Sequence, residues 1–236
     1  MGLADLHLHT IYSYDGTASL AAVLSRAKQI GLDVIAITDH DEVRGALKAM
    51  ELASAYGVEL IPGIEITTAD GDLLALFITE KVSAGLSLVE TVLRVRELGG
   101  ICIAPHPMAR GVSMKSLSGR VILKALRNPL VAETLIGIEV YNATALDKIS
   151  NHYARILANR LALAHVGNSD AHVTEAIGLG ATEFEGHTAA DLLAALKNGQ
   201  TKIRKQKEWS AFRILGSWGM RYMGSALIRM TGLARA

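Results

Sequence analysis

Apolar and polar positions alternate between two patterns along most of the chain. Short apolar runs predict strands, and the stretches between them show helical spacing. The predicted strands are Leu3–His9, Asp33–Thr38, Val58–Thr67, Leu73–Thr79, Ile101–Ala104, Ile136–Val140, Leu163–Val166 and Gly180–Phe184. The predicted helices are Ser19–Ile30, Arg44–Tyr56, Ser87–Leu98, Ser118–Leu126, Ala145–Asn159 and Thr188–Leu196.

The alternation of strands and helices indicates one α/β unit. Runs such as Val34-Ile35-Ala36-Ile37 are apolar on both faces, as expected when helices cover both sides of a parallel sheet. Gly31, Gly57 and Gly99 follow three predicted helices, where a left-handed cap favours glycine. We therefore expect an α/β barrel or layer over residues 1–200, followed by a separate tail at 201–236.

Composition narrows the class of protein. Of 236 residues, 50% are hydrophobic and 20% charged, which excludes disordered and fibrous chains. The single cysteine, Cys102, has no partner for an internal disulfide, and neither a signal sequence nor an apolar run of about 20 residues is visible. These features predict a cytoplasmic location.

The charge is divided unevenly. Residues 201–236 hold eight Lys or Arg against one acid, which is +7 and leaves −6 for residues 1–200 of a chain of net charge +1. This division suggests different roles for the body and the tail.

Histidines and acids collect where the predicted strands end. The segments are Asp5-Leu6-His7-Leu8-His9, Thr38-Asp39-His40-Asp41, Gly63-Ile64-Glu65, Pro105-His106-Pro107 and Ser169-Asp170-Ala171-His172. Because the carboxyl ends of parallel strands meet at one edge or mouth, these side chains should form one cluster. Imidazoles and carboxylates without thiolates suit Zn²⁺, Mn²⁺ or Fe²⁺, and their number implies two or three ions. His152, His165 and His187 are expected to be structural or surface residues.

The order of these five motifs resembles the PHP family (polymerase and histidinol phosphatase domains), from about residue 3 to about residue 200. The resemblance implies a distorted seven-stranded β/α barrel with a di- or trinuclear metal site at its mouth. Stand-alone members of the family are metal-dependent phosphoesterases.

The resemblance also implies a ligand set. One metal would be bound by His7, His9, Glu65 and Asp170, and Glu65 would bridge to a second metal that His106 also binds. A third metal would be bound by Asp15, His40 and His172. Where many relatives have a histidine before the next strand, this chain has Asp72, which favours Mn²⁺ or Fe²⁺ over Zn²⁺.

The expected activity is hydrolysis of small phosphate esters, such as nucleotides or phosphorylated metabolites, by a hydroxide that bridges two metals. No nucleophilic side chain is identified, and Asp170 and His172 are the nearest catalytic candidates. Arg110 could bind a substrate phosphate or be a solvated loop charge. Asn142 could bind substrate or cap a helix, and Asp39 and Asp41 are expected to orient imidazoles.

Two alternatives remain open. One is a nuclease acting on oligonucleotides, which the acidic body disfavours although the tail could supply charge. The other is a non-catalytic PHP module whose metal site has decayed.

The tail has a helical pattern of its own. From Phe212, apolar residues recur as Leu215, Trp218, Tyr222, Met223, Ala226 and Met230, with Arg213, Ser217 and Arg221 on the opposite face. Residues 205–236 could therefore pack on the barrel, mediate self-association or bind a membrane surface reversibly.

Overall fold

A computed structural model of the chain describes residues 1–109, 115–146, 148–205 and 209–230, with the side chains of 148, 205, 211 and 224–230 left out. In these ranges the strands are β1 (Gly2–Asp5), β2 (Val34–Ile37), β3 (Glu59–Thr67), β4 (Asp72–Leu76), β5 (Ile101–Ala104), β6 (Leu135–Asn142), β7 (Ala164–Asn168), β8 (Gly180–Phe184) and β9 (Lys202–Lys205). The helices are α1 (Leu20–Ile30), α2 (Arg44–Tyr56), α3 (Leu88–Glu97), α4 (Gly119–Ala125), α5 (Pro129–Thr134), α6 (Lys148–Ala158), α7 (Ala189–Lys197) and α8 (Ala211–Met230).

The nine described strands form one mixed sheet in the order β7-β6-β5-β4-β3-β2-β1-β8-β9. Strands β1, β2 and β3 are parallel, as are β5, β6 and β7. Strand β4 runs antiparallel to both of its neighbours, and β8 runs antiparallel to β1 and β9. The expected barrel is confirmed, but the seven-stranded count and the parallel sheet are corrected to nine strands of mixed direction.

The sheet curls until β7 reaches β8, which nearly closes the barrel. The buried Thr182 hydroxyl donates to the carbonyl of Gly167 (2.9 Å) and accepts from its amide (3.1 Å). Gly180 is required here, because a Cβ at this position would lie 2.2 Å from the Asn168 carbonyl oxygen. The Thr182 side chain and the close backbone contact at Gly180 thus take the place of part of a hydrogen-bond ladder between β7 and β8.

Most predicted elements have their counterparts, with three differences. Strand β1 ends at Asp5, and only Leu8 of the following residues makes an isolated bridge, to Ala171. Helix α5 is short and was not predicted. Strand β9 lies inside the predicted tail, so the sheet extends past residue 201.

Helix α8 has apolar residues on two sides. One side packs against the barrel and the other is exposed to solvent. Ile214 and Trp218 pack against the barrel, beside Leu8, Ala171 and Val173. Phe212 and Met223 are 91% and 74% exposed. The single apolar face expected for the tail is therefore wrong, because its aromatic residues divide between barrel and solvent. Over the described ranges, no helix is long and apolar enough to cross a membrane.

Candidate metal centre

The histidine and acid segments converge at one end of the barrel, as their positions after successive strands predicted. His7 and His9 follow β1, His40 follows β2, His106 follows β5, and Asp170 and His172 follow β7. Glu65 lies within β3, and Asp15 comes from the segment before α1. Five of these eight side chains are almost wholly buried. The other three, His40, Asp15 and His172, are partly exposed and line the cavity that lies above the cluster.

Glu65 lies at the centre of the cluster. Its Oε2 is 3.1 Å from His7 Nε2, and 3.2 Å from both His9 Nε2 and His40 Nδ1. Its Oε1 is 3.0 Å from His106 Nε2. One buried carboxylate therefore faces four imidazoles that come from three different strand ends.

Two further carboxylates complete the cluster. Asp170 Oδ1 lies 3.2 Å from His9 Nε2 and 3.4 Å from His7 Nε2. Asp15 Oδ2 lies 3.1 Å from His172 Nε2 and 3.3 Å from His40 Nε2.

The described residues form three groups whose donor atoms lie within 4.8 Å of one another. The groups are His7, Glu65 and His106; His7, His9 and Asp170; and His9, Asp15, His40 and His172. Two atoms that each lie about 2.1 Å from one ion are roughly 3.0–3.5 Å apart at octahedral or tetrahedral angles. The nitrogen–oxygen distances of 3.0–3.4 Å in the cluster match that spacing.

Buried ring nitrogens without a hydrogen-bond partner also indicate a metal site. Both ring nitrogens of His9, and Nδ1 of His40, are buried without a hydrogen bond of proper geometry to any described residue. A buried polar group in that state is costly unless a further partner completes it. The donor set therefore fits divalent metal ions.

Three imidazoles are anchored through Nδ1, which leaves Nε2 facing the cluster. His172 Nδ1 lies 3.0 Å from the carbonyl oxygen of Asp170, and a carbonyl only accepts, so Nδ1 carries the proton. His7 Nδ1 contacts Glu139 at 3.3 Å, and His106 Nδ1 contacts the Ser116 hydroxyl at 3.2 Å. Such contacts fix ring orientation in metal sites.

Glu139, in the middle of β6, is a functional residue that the sequence analysis did not single out. Its buried carboxylate accepts from the His106 amide (2.7 Å), Asn142 Nδ2 (3.0 Å) and Asn168 Nδ2 (2.8 Å), besides contacting His7. The available signal was a glutamate within the otherwise apolar run Ile138-Glu139-Val140.

The charges of the cluster reinforce one another. Burial lowers the pKa of His7, but the carboxylates of Asp170, Glu65 and Glu139 outweigh it and raise the pKa well above its usual value. Burial raises the pKa of Glu65, but His7 and His40 with other imidazoles lower it well below its usual value. The ionised carboxylate of Glu65 is the state that binds cations, and an imidazole such as that of His7 would release its proton when a metal binds.

Two residues of the cluster have unusual backbone conformations. His106 has φ 27° and Asp170 has φ 53°, in the left-handed region that non-glycine residues rarely adopt. Residues held in such conformations by their surroundings concentrate at functional sites.

Asp72 lies apart from the three groups. Its carboxylate lines the same cavity, and Oδ1 is buried without a hydrogen bond to any described residue. Burial, together with the charge of Glu65, raises its pKa to about 6. Its role as a ligand therefore stays a prediction.

Asn142, Asp39 and Asp41 make contacts that the sequence did not predict. Asn142 is buried, its amide nitrogen donates to Glu139 and Asp170 (both 3.0 Å), and its oxygen accepts from the amides of Thr144 and Ala145. Its amide therefore orients the carboxylate of Asp170, and a contact with substrate stays a prediction. Asp39 accepts from Thr10, and Asp41 accepts from the Thr67 amide. They fix backbone segments rather than imidazoles.

The remaining expectations concern residues outside the cluster. Arg110 lies outside the described residues. His187 pairs with Asp33 on the surface, and His152 contacts the ring of Tyr153. Neither these two histidines nor His165 belongs to the three groups found among the described residues.

Comparison with known proteins agrees with this geometry. A family model described as PHP-associated matches residues 148–201. The uncharacterized protein MJ1587 of Methanocaldococcus jannaschii is 37% identical over 161 residues, covering 64% of this chain and 88% of that protein. A phosphoribosyl 1,2-cyclic phosphate 1,2-diphosphodiesterase of Eggerthella lenta is 38% identical over 68 residues, which are 29% of this chain and 26% of that protein.

A solved structure shares the fold. The Bifidobacterium adolescentis protein, assigned as a metal-dependent phosphoesterase, has a TM-score of 0.62 at 19% identity and covers 83% of this chain and 96% of its own. Sequence motifs, the convergent histidine cluster and these matches lead to one conclusion: the chain belongs to the PHP (polymerase and histidinol phosphatase) family.

Proposed function

We propose that this chain is a metal-dependent hydrolase of phosphate esters. The observation that supports it most is that His7 and His9 each belong to two adjacent ligand groups, while Glu65, which contacts both, lines the base of one cavity. Divalent ions bound there would supply positive charge for a phosphate group and acidify water for attack on phosphorus.

The protein side of the site is proposed as follows. Two or three ions, Mn²⁺, Fe²⁺ or Zn²⁺, are bound by the three groups described, with Asp72 as a further oxygen ligand beside His106. Glu139 and Asn142 keep the imidazole of His7 and the carboxylate of Asp170 in place through hydrogen bonds. Tight positioning of ligands matters because displaced ligands bind metal more weakly.

The proposed substrate is small and the proposed setting is the cytoplasm. A nuclease remains the second reading of the same chemistry, and an oligonucleotide belongs in the substrate panel for that reason. For the tail we propose reversible contact with an anionic membrane surface, or self-association, through the exposed side of α8.

Metal analysis and a substrate panel test the proposal. Purified protein should contain at least two divalent ions per chain and release phosphate from esters when loaded with Mn²⁺, Zn²⁺ or Fe²⁺. Asp170→Asn removes a charged ligand and should lower turnover by at least about a hundredfold while circular dichroism stays unchanged. Asp33→Asn, outside the cluster, is the matched control and should keep both ions and activity.

Protein that folds but binds no divalent ion would contradict the proposal. So would full activity in Asp170→Asn, because the reaction would then not depend on the cluster. Metal binding without hydrolysis of any ester would instead favour the non-catalytic module.

A further inference from the structure

A cavity lies above the cluster of ligand candidates. Its base is charged and its upper wall is apolar. It encloses about 270 Å³. The base is formed by seven of the ligand candidates, including Glu65 and Asp170. The apolar wall is formed by Leu146, Val173, Trp209, Ile214, Leu215 and Trp218.

Helix α8 supplies half of this wall and is fixed in place by direct contacts with the barrel. The Trp218 indole Nε1–H donates to the carbonyl oxygen of Asp15 (2.9 Å), which is itself a ligand candidate. Arg221 forms an ion pair with Glu175. Ile214 and Trp218 also pack on the apolar cluster that contains Val173 and Trp209. These contacts hold the apolar wall at a fixed position relative to the ligand candidates.

Cationic side chains are missing from the described part of this wall. Among the described residues that line the cavity, none is a lysine or an arginine. The two described arginines of α8 are used elsewhere, Arg213 over the face of Trp209 (4.2 Å to the ring centroid) and Arg221 on Glu175. A substrate with several phosphates along its length would meet apolar surface where it needs positive charge.

The upper wall contains few polar atoms. These atoms either form hydrogen bonds within the protein or lie at the opening of the cavity. The Thr144 hydroxyl donates to the carbonyl oxygen of Asp170 (2.8 Å). Tyr14 stacks on His40, with ring centroids 5.0 Å apart, and is largely exposed at the opening. The wall therefore offers little to a polyol or sugar, whose hydroxyl groups would lose water without replacement.

We propose that the substrate is a phosphate ester whose alcohol part is apolar, an alkyl or aryl group that packs against Leu215, Ile214 and Trp218. This rests on the proposed function, since the phosphate is placed on the metal cluster. Each methylene buried against the wall should improve binding about fourfold, until the cavity is filled.

Binding can be tested separately from hydrolysis. Alkylphosphonates of increasing length, from methyl to octyl, present a phosphate-like group on a C–P bond that phosphoester hydrolysis does not cleave. Trp209 and Trp218 are the two tryptophans of the chain, and both line the cavity, so tryptophan fluorescence of the metal-loaded protein reports binding there. We expect the Kd to fall about fourfold per methylene, with a negative heat-capacity change on binding.

Hydrolysis of n-alkyl phosphates of the same lengths provides the second measurement. The kcat/KM should rise with chain length and exceed that of glycerol phosphate, a polar ester of similar size. Leu215→Ser changes a half-exposed residue of the wall and should reduce the ratio of kcat/KM for hexyl phosphate to that for ethyl phosphate about tenfold. Phe212→Ser, on the same helix but outside the cavity, is the matched control and should change neither.

The outcomes separate the two proposals. A Kd and a kcat/KM that are independent of chain length would overturn the apolar substrate and leave a phosphoesterase. A Kd that falls with length, with no ester hydrolysed, would support the apolar site and overturn the catalytic function. Chain-length dependence that survives Leu215→Ser would place the apolar contact elsewhere and overturn the assignment to α8.

Discussion

Single residues in this centre serve more than one ligand group. Glu65 contacts His7, His9, His40 and His106 within 3.2 Å, and His7 and His9 each belong to two groups. A change at a shared residue should therefore disturb more than one of the proposed ions. A change at the edge of the cluster should affect a single proposed ion.

Asp72 is such an edge residue, and its role can be tested by metal content. If it is a ligand, Asp72→Ala should lose about one ion per chain, because a buried oxygen donor disappears from a site with few others. Asp72→His should retain that ion and shift preference toward Zn²⁺, which accepts nitrogen readily. Inductively coupled plasma mass spectrometry measures both.

The same metal content in Asp72→Ala and the parent protein would place Asp72 outside the site. Activity that falls without loss of metal would then indicate a role toward substrate.

Most ligand candidates could be predicted from the sequence because they follow an apolar strand, whereas Glu65 lies within β3 and Asp15 lies before α1. His7, His40, His106 and Asp170 stand at such positions, and the fold brings the ends of those strands together. The role of Asn142 could not be predicted in this way. Its partners Glu139 and Asp170 lie on β6 and after β7, so the contacts depend on the register between these strands.

At the scale of elements, hydrophobic periodicity predicted most helices and strands but not their directions. The antiparallel course of β4 leaves no trace in composition, since Leu73–Leu76 is apolar on both faces like the parallel strand β2. Helix α5 has six residues, too few for periodicity, although Asn128 caps it and Pro129 begins it. Strand β9 lies in the segment that the charge division predicts to be a tail, and its sequence Lys-Ile-Arg-Lys has one apolar residue, too few to show alternation.

The hydroxyl of Thr182 forms two of the hydrogen bonds that join β7 to β8. Thr182→Val keeps the shape of the side chain but leaves the amide and carbonyl of Gly167 without their partner. Unsatisfied buried groups cost about 1–3 kcal/mol each, so we expect the free energy of unfolding to fall by about 2–4 kcal/mol. Urea denaturation followed by circular dichroism measures this.

Thr182→Ser keeps the hydroxyl and should lose much less stability than Thr182→Val. Equal denaturation midpoints for Thr182→Val and the parent protein would show that these two hydrogen bonds do not stabilise the closure.

At the scale of the whole molecule, residues 1–200 are acidic and the tail of residues 201–236 is basic. Helix α8 of this tail packs on the barrel. Residues 201–236 are +7 against −6 for residues 1–200. The outer side of α8 exposes Phe212, Met220 and Met223, while Ile214 and Trp218 face the barrel. Large apolar residues exposed together beside cations are typical of helices that lie on anionic membranes.

The exposed side of α8 can be tested with vesicles that contain anionic phosphatidylglycerol. We expect the full chain to sediment with them, and less so at 1 M salt, where charges are screened within about 3 Å. Phe212→Ser/Met223→Ser removes two exposed apolar groups without touching the barrel contacts, so it should abolish sedimentation and leave metal content unchanged. Met50→Ser, an exposed methionine on α2, is the matched control. If the parent chain instead stays in the supernatant and ultracentrifugation shows dimers that Phe212→Ser/Met223→Ser dissociates, the membrane proposal is wrong and this face mediates self-association.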